Sequence, residues 1–211
     1  AVTFAWRNNS VFIAARGNSG NEVALYPACS EDGRVISVGA CDKFGLKQEN
    51  VSGSADSSYG LDMDILAPGS QAGIWTLLYA DAPLGSDYQT TSDNRYSSFN
   101  NTSSAAAHVS GGAALAYQAC LENDNSPLNP YTEDIENMIQ LSGRDADNEL
   151  TTEYHSENAW GWLDAHQLVS SLSSPFGFIH HFEFDQLDLE NNWVGSDIVL
   201  EESFENLAAG S

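Results

Sequence analysis

Apolar positions along the chain come in short runs divided by Gly, Pro, Asn and Ser. Val11 to Ala15 is wholly apolar and stops at Arg16-Gly17-Asn18-Ser19-Gly20. A run that short, without polar alternation, predicts a parallel strand covered on both faces, with a loop at its C-terminal edge. The ten residues before it read as the end of a helix and a turn. Val35 to Val38, closed by Gly39-Ala40, predicts a second such strand. Tyr59 to Leu66 alternates and ends at Ala67-Pro68-Gly69, where Pro and Gly punctuate the element. Ile74 to Tyr79 predicts a further short strand, and Asp81 to Arg95 a polar surface loop. From Thr102 the chain turns to small residues, which predicts a buried helix able to pass close to neighbouring backbone. Thr132 reads as the cap of another helix, with Ile135, Met138, Ile139 and Leu141 spaced for one face. Gly161 to Ala165 opens a last helical segment that runs through Val169. Beyond Ser170, Phe178 to Leu189 alternates again and Trp193 to Leu200 reads as a strand.

Composition narrows the class. A chain of 211 residues with 42 % hydrophobic content can bury a real core, so wholesale disorder is excluded. Thirty acidic residues face seven basic ones, net −23, and such a surface repels polyanions. Nucleic acid and anionic membranes are therefore poor partners. No stretch approaches the roughly 18 apolar residues of a membrane helix, so no transmembrane segment is expected. Cys29, Cys41 and Cys120 lack CxxC spacing, which argues against zinc and leaves one disulfide with one free thiol open. Residues 1–170 read as one domain and 171–211 as an acidic extension or the start of a small β appendage. The last 31 residues hold eight acids and no Lys or Arg.

Two stretches carry candidate chemistry. In Phe99 to Gly112, FNNTSSAAAHVSGG, hydroxyls stand at the start of the predicted helix. A serine oxygen there sits near positive amide dipoles that stabilise an alkoxide or acyl intermediate. An ordinary capped core helix fits the same stretch. In Ala14-Ala15-Arg16-Gly17-Asn18-Ser19-Gly20, an amide held at a strand end between glycines is suited to donate N–H to a developing oxyanion. A plain Gly-Asn-Ser-Gly turn is the competing reading.

The segment Asn101-Thr102-Ser103-Ser104-Ala105-Ala106-Ala107-His108-Val109-Ser110-Gly111 resembles the GTSMAxPHVAG nucleophile motif of the subtilisin-like serine proteases. Asn101, Ser104 and Ala107 depart from its Gly, Met and Pro. The loop ending in Asn18 resembles the family's AAxGNxG segment. Tyr26-Pro27-Ala28, Val35 to Ala40, Tyr59-Gly60 with Met63 to Gly69, and Gly161 to Ala165 resemble further family stretches in the same order. The resemblance implies an α/β, three-layer fold: a mostly parallel central sheet flanked by helices, with the N-terminal portion of the domain absent from this chain. It implies Ser103 as nucleophile, Asn18 as oxyanion donor, and Ala15, Arg16 and Gly17 along the edge of the primary specificity pocket. Arg16 is unusual there: a guanidinium at that edge would favour an acidic or polar substrate residue, but its side chain is expected to point outward. The implied reaction is hydrolysis of peptide bonds in a polypeptide substrate, with no cofactor in the chemistry, structural calcium as the family often uses, and a secreted or cell-envelope location. Glu31-Asp32 is a candidate acidic cluster for calcium, without assigned ligands.

Seventeen residues precede Asn18, and none is Asp or His. The base and its orienting acid are thus expected from an N-terminal part of the same protease domain, upstream or as a separate chain. A non-catalytic subtilisin-like binding module is the alternative. His108, five residues past the nucleophile, is expected to pack or make a structural hydrogen bond. His181, Glu183 and Asp185 would share one strand face, read as a wet face opposite aromatic residues.

Overall fold

The computed structural model describes residues 1–30, 34–49, 55–70, 74–77, 96–122, 130–151 and 153–170. The expectations for 81–95, for the Glu31-Asp32 pair and for the acidic stretch 171–211 with its His181 face lie outside the described residues.

Five strands form the main sheet in the order β1-β2-β3-β7-β6: β1 Ile13–Ala15, β2 Ile36–Cys41, β3 Ile65–Pro68, β6 Gly143–Arg144 and β7 Trp162–Leu163. β1, β2, β3 and β7 run parallel, and β6 is antiparallel to β7. Ile13 pairs with Ile36, Val38 with Ile65, and Leu66 with Trp162. β2 is buried along its whole length, and its period-2 alternation sorts the core. Ile36, Val38 and Ala40 join Ile65, Ala67 and Leu163 on the face covered by the helices. Cys41 joins Met63, Leu66 and Ala159 on the other. Gly39 lies between these: a Cβ there would collide with the Met63 sulfur and a Leu66 methyl.

Three helices cover the first face: α2 Asn101–Glu122, α3 Thr132–Leu141 and α4 Ala165–Ser170. α2 buries Ala105, Val109, Ala113 and Ala116 against β1 to β3, and Gly112 lets Leu163 and Leu168 approach its backbone. Helix α1, Val2–Arg7, sits on the other side and buries Val2 with Ala14, Ala28 and Val35. The architecture is therefore the expected α/β one, with a mostly parallel sheet between helices. A separate antiparallel ribbon, β4 Trp75–Leu77 with β5 Tyr96–Ser98, leads the chain into α2.

Several local expectations need correction. The strand starting near Val35 does not close at Gly39 but runs through Cys41, because small residues are what its crowded rear face accepts. Gly161-Trp162-Leu163 does not open a helix: Trp162 and Leu163 are β7, and α4 begins after Asp164, whose Oδ1 accepts the His166 and Gln167 N–H groups at 2.9 and 3.0 Å. Thr132 is the first residue of α3 rather than its cap, and the Asp134 carboxylate reaches back to the Tyr131 N–H at 2.8 Å. Leu141 is 62 % exposed and off the buried face that Ile135 and Ile139 form. All three cysteines are free thiols: Cys41 and Cys120 are buried, Cys29 half-buried. Burial, with help from the Asp42 charge, pushes the Cys41 thiol up to about 12, and burial next to Asp134 pushes Cys120 up to about 11. Among the described residues, no helix is long and apolar enough to cross a membrane.

Candidate active site

β1 ends at Ala15, and the chain then makes the loop Arg16 to Asn21 at the C-terminal edge of the sheet. That loop is laced onto residues 56–59. Ser58 N–H donates to Gly17 O at 2.9 Å, Ser19 N–H to Ser58 Oγ at 3.2 Å, Gly20 N–H to Asp56 O at 3.2 Å and Tyr59 N–H to Asn21 O at 3.1 Å. Leu25 N–H donates to Arg16 O at 3.0 Å, and the exposed Leu25 side chain packs beside Gly17.

The start of α2 meets this loop across 84 residues of sequence. Asn18 Oδ1 accepts both the Thr102 N–H, at 3.1 Å, and the Thr102 hydroxyl, at 2.8 Å. Thr102 Oγ1 in turn accepts the Gly17 N–H at 3.3 Å. Thus the first turn of α2 is capped by an amide from another loop, not by its own hydroxyls as the sequence suggested. Because a backbone N–H can only donate, Asn18 must present its oxygen to Thr102. Its NH₂ group is then turned away from the helix. Thr102 is buried, whereas its neighbour Ser103 and Asn18 are both exposed. The structure therefore brings Ser103 and Asn18 to one open surface, joined through Thr102.

Asn101 enters the helix at φ 68°, the left-handed region that its family counterpart Gly would adopt freely. Its N–H donates to Gly69 O at 2.7 Å, and its Oδ1 accepts from the buried Gln48 Nε2 at 3.1 Å. Ser104 is buried and donates to Pro68 O at 3.3 Å. His108 Nδ1 lies 2.8 Å from Ser104 O, a bond within the helix in which the ring nitrogen must donate. This is the structural hydrogen bond expected of it. His155 and His166 take part in local turns, through the 155–159 bridge and the Asp164 cap.

Arg16 departs from expectation. Its side chain does not point outward but is fully buried at 0 % exposure. Nε donates to Tyr59 O at 2.8 Å, Nη1 to Ser37 Oγ at 3.2 Å, and Nη2 pairs with the Asp62 carboxylate. A guanidinium so engaged is not free to select an acidic substrate residue. Sequence reading missed it because every partner lies 21 to 46 residues away. Ala15 is half-buried and Gly17 buried, so what Ala15 to Gly17 can offer a ligand is chiefly backbone. Among the described residues no group of three or more His, Cys, Asp or Glu could hold a metal ion.

The sequence pattern of the Subtilase family, peptidase S8, matches residues 2–162. The chain belongs to the subtilase family. This subtilase chain is 36 % identical to thermitase of Thermoactinomyces vulgaris over 115 residues, which is 54 % of the chain and 33 % of thermitase. It is 35 % identical to a thermophilic serine proteinase of Bacillus sp. strain AK1 over 115 residues, 54 % of the chain and 23 % of that protein. The subtilase chain thus spans a third or less of these relatives. Among solved structures it resembles the prenylagaramide maturation protease PagA, with TM-score 0.58 and 26 % identity over 81 % of the chain and 53 % of PagA. A protease of Pseudoalteromonas arctica shares the fold at TM-score 0.60 and 24 % identity, over 81 % of the chain and 45 % of that structure.

Proposed function

We propose that this subtilase chain is the part of a serine endopeptidase that supplies the nucleophile and the oxyanion donors. Ser103 Oγ attacks the carbonyl carbon of a peptide bond and gives its proton to a histidine outside this chain's numbering. The carbonyl oxygen, now negative, is held by Asn18 Nδ2 and the Ser103 N–H. Collapse expels the amine, which takes the proton from that histidine and leaves an ester on Ser103 for water to hydrolyse. An aspartate, also outside this numbering, orients the histidine. The backbone of Ala15 to Gly17 edges the pocket that takes the substrate side chain.

The observation that carries this reading is the Asn18–Thr102 junction, which ties the amide oxygen to the residue before the exposed Ser103 and so keeps the NH₂ as the group Asn18 has to donate. A groove of about 670 Å³ between β1 and α2, lined by Val11, Phe12, Ile13, Ala113, Ala114 and Tyr117, suits packing against the N-terminal part that brings the His and Asp. Secretion or envelope attachment and structural calcium belong to the same proposal and rest on kinship alone.

The test is to treat the full-length source polypeptide with a fluorophosphonate and map the label by mass spectrometry. Label on the Ser103 peptide, lost in Ser103→Ala, is expected. Folded protein that stays unlabelled would leave the non-catalytic binding module as the function.

A further inference from the structure

We infer that Arg16 is a positioning residue for the oxyanion donor: its buried guanidinium locks the loop that carries Asn18 onto residues 59–62. This rests on the proposed role of Asn18. The three donor contacts of Arg16 run to two separate elements, Ser37 in β2 and the turn from Tyr59 to Asp62. The turn is shaped for it. Gly60 has φ +129°, and a Cβ there would stand 2.6 Å from Arg16 Nη2, so a side chain at position 60 would displace the guanidinium. The first residue of that turn and the one before it are the ones that bind the oxyanion loop, through Tyr59 to Asn21 and Ser58 to Gly17 and Ser19. The loop is therefore fastened twice, by its own backbone and by a side chain that reaches past it.

An ion pair with its guanidinium buried and its carboxylate largely in water is a poor source of net stability, because desolvating the guanidinium offsets much of a screened attraction. A methionine of similar size would fill the same space. What it could not do is hold Tyr59 O, Ser37 Oγ and Asp62 in one fixed fork. Asn18 lies two residues on, and an oxyanion donor works only when held near the position that the charge will occupy. A displacement of about 1 Å can lower a rate a hundredfold. Asp62, whose side chain is 60 % exposed, gives the clamp an accessible end.

The experiment uses the full-length polypeptide. Arg16→Met, Arg16→Lys and the milder Asp62→Asn are assayed on a peptide substrate, with rates referred to fluorophosphonate-titrated sites so that unfolded protein does not count. Arg16→Met should lower kcat about tenfold or more with KM within about threefold, and lysine should restore little because a single ammonium cannot make the fork. In an Asn18→Ala background the same change should lower kcat less than about twofold, since the group it positions is gone. An unchanged kcat per titrated site, or an equal loss in both backgrounds, would overturn the proposal. Amide exchange provides a readout independent of turnover. Ser19 and Gly20 should exchange about tenfold faster in folded Asp62→Asn or Arg16→Lys, while Ile36 and Ile139 keep their rates. Unaltered exchange at both loop amides overturns the clamp. Faster exchange in a polypeptide whose Ser103 never reacts supports the clamp while ruling out the catalytic reading.

Discussion

Two partly buried polar regions of this molecule handle charge in opposite ways. At the loop Arg16 to Asn21, the Arg16 guanidinium meets a carboxylate, a carbonyl and a hydroxyl, and the amide of Asn18 meets the helix start. Behind β3, Asp64 and Glu136 approach one another with the neutral Gln140 amide between them, at 2.9 Å from Asp64 and 3.3 Å from Glu136. Burial pushes the Asp64 carboxyl up to about 6, although the Ser37 N–H, Gln140 and the Arg16 charge pull it back. Burial, then the charges of Asp64 and Glu133, pushes Glu136 up to about 8. Where partners match, the fold holds a geometry. Where like charges share a low-dielectric site, it instead acquires a dependence on pH.

The comparison is most sharply tested at Asn18. On the proposed mechanism Asn18→Ala removes one oxyanion donor and should lower kcat about 10²- to 10³-fold in the full-length polypeptide. It should also lower thermal stability by about 1 kcal/mol, because the Thr102 N–H loses its cap. Loss of stability with kcat intact would reduce the junction to a helix cap. The next effect belongs to the carboxylates. A folded-state pKa above the unfolded one favours the folded form fully below the unfolded pKa, and that advantage disappears as pH rises through the folded value. Stability should therefore decline between about pH 4 and pH 8, first through Asp64 and then through Glu136. Glu136→Gln should flatten the upper part of that decline, so that less stability is lost between about pH 5 and pH 8. Denaturant melts at pH 5 and pH 8 decide it, and parallel losses in both proteins would refute the assignment. The smallest effect is at Asn101. Replacing it by glycine relieves a left-handed φ, worth about 1 kcal/mol, and forfeits the Gln48 bond, worth about the same. A net change within about 0.5 kcal/mol is expected from differential scanning calorimetry. A larger loss would show that the Gln48 contact outweighs the backbone term.

What the sequence disclosed, it disclosed through local pattern. The apolar run before Arg16 predicted β1, the small residues after Thr102 predicted α2, and the two polar stretches that meet at the sheet edge were both singled out. Contacts between distant residues were not legible. Nothing in GNS or NTSS says that an amide will cap a helix 84 residues away, and nothing near Arg16 announces Ser37, Tyr59 and Asp62. Gly39-Ala40 read as an ending because small residues usually punctuate, whereas here Gly39 is the size that fits above Met63 and Leu66, and Ala40 packs on the opposite, helix-covered face. β6 and β7 are two residues each and are defined by pairing, not propensity.

The state of the sulfur atoms has a practical outcome. With Cys41 and Cys120 enclosed and their thiolate forms suppressed at neutral pH, a maleimide dye should attach at Cys29 alone. Cys29 N–H bonds to Leu25 O at 3.3 Å, so the fluorophore would sit just past the segment that flanks Gly17. The native chain thus comes with an attachment point for following, by fluorescence, the loop that carries Asn18.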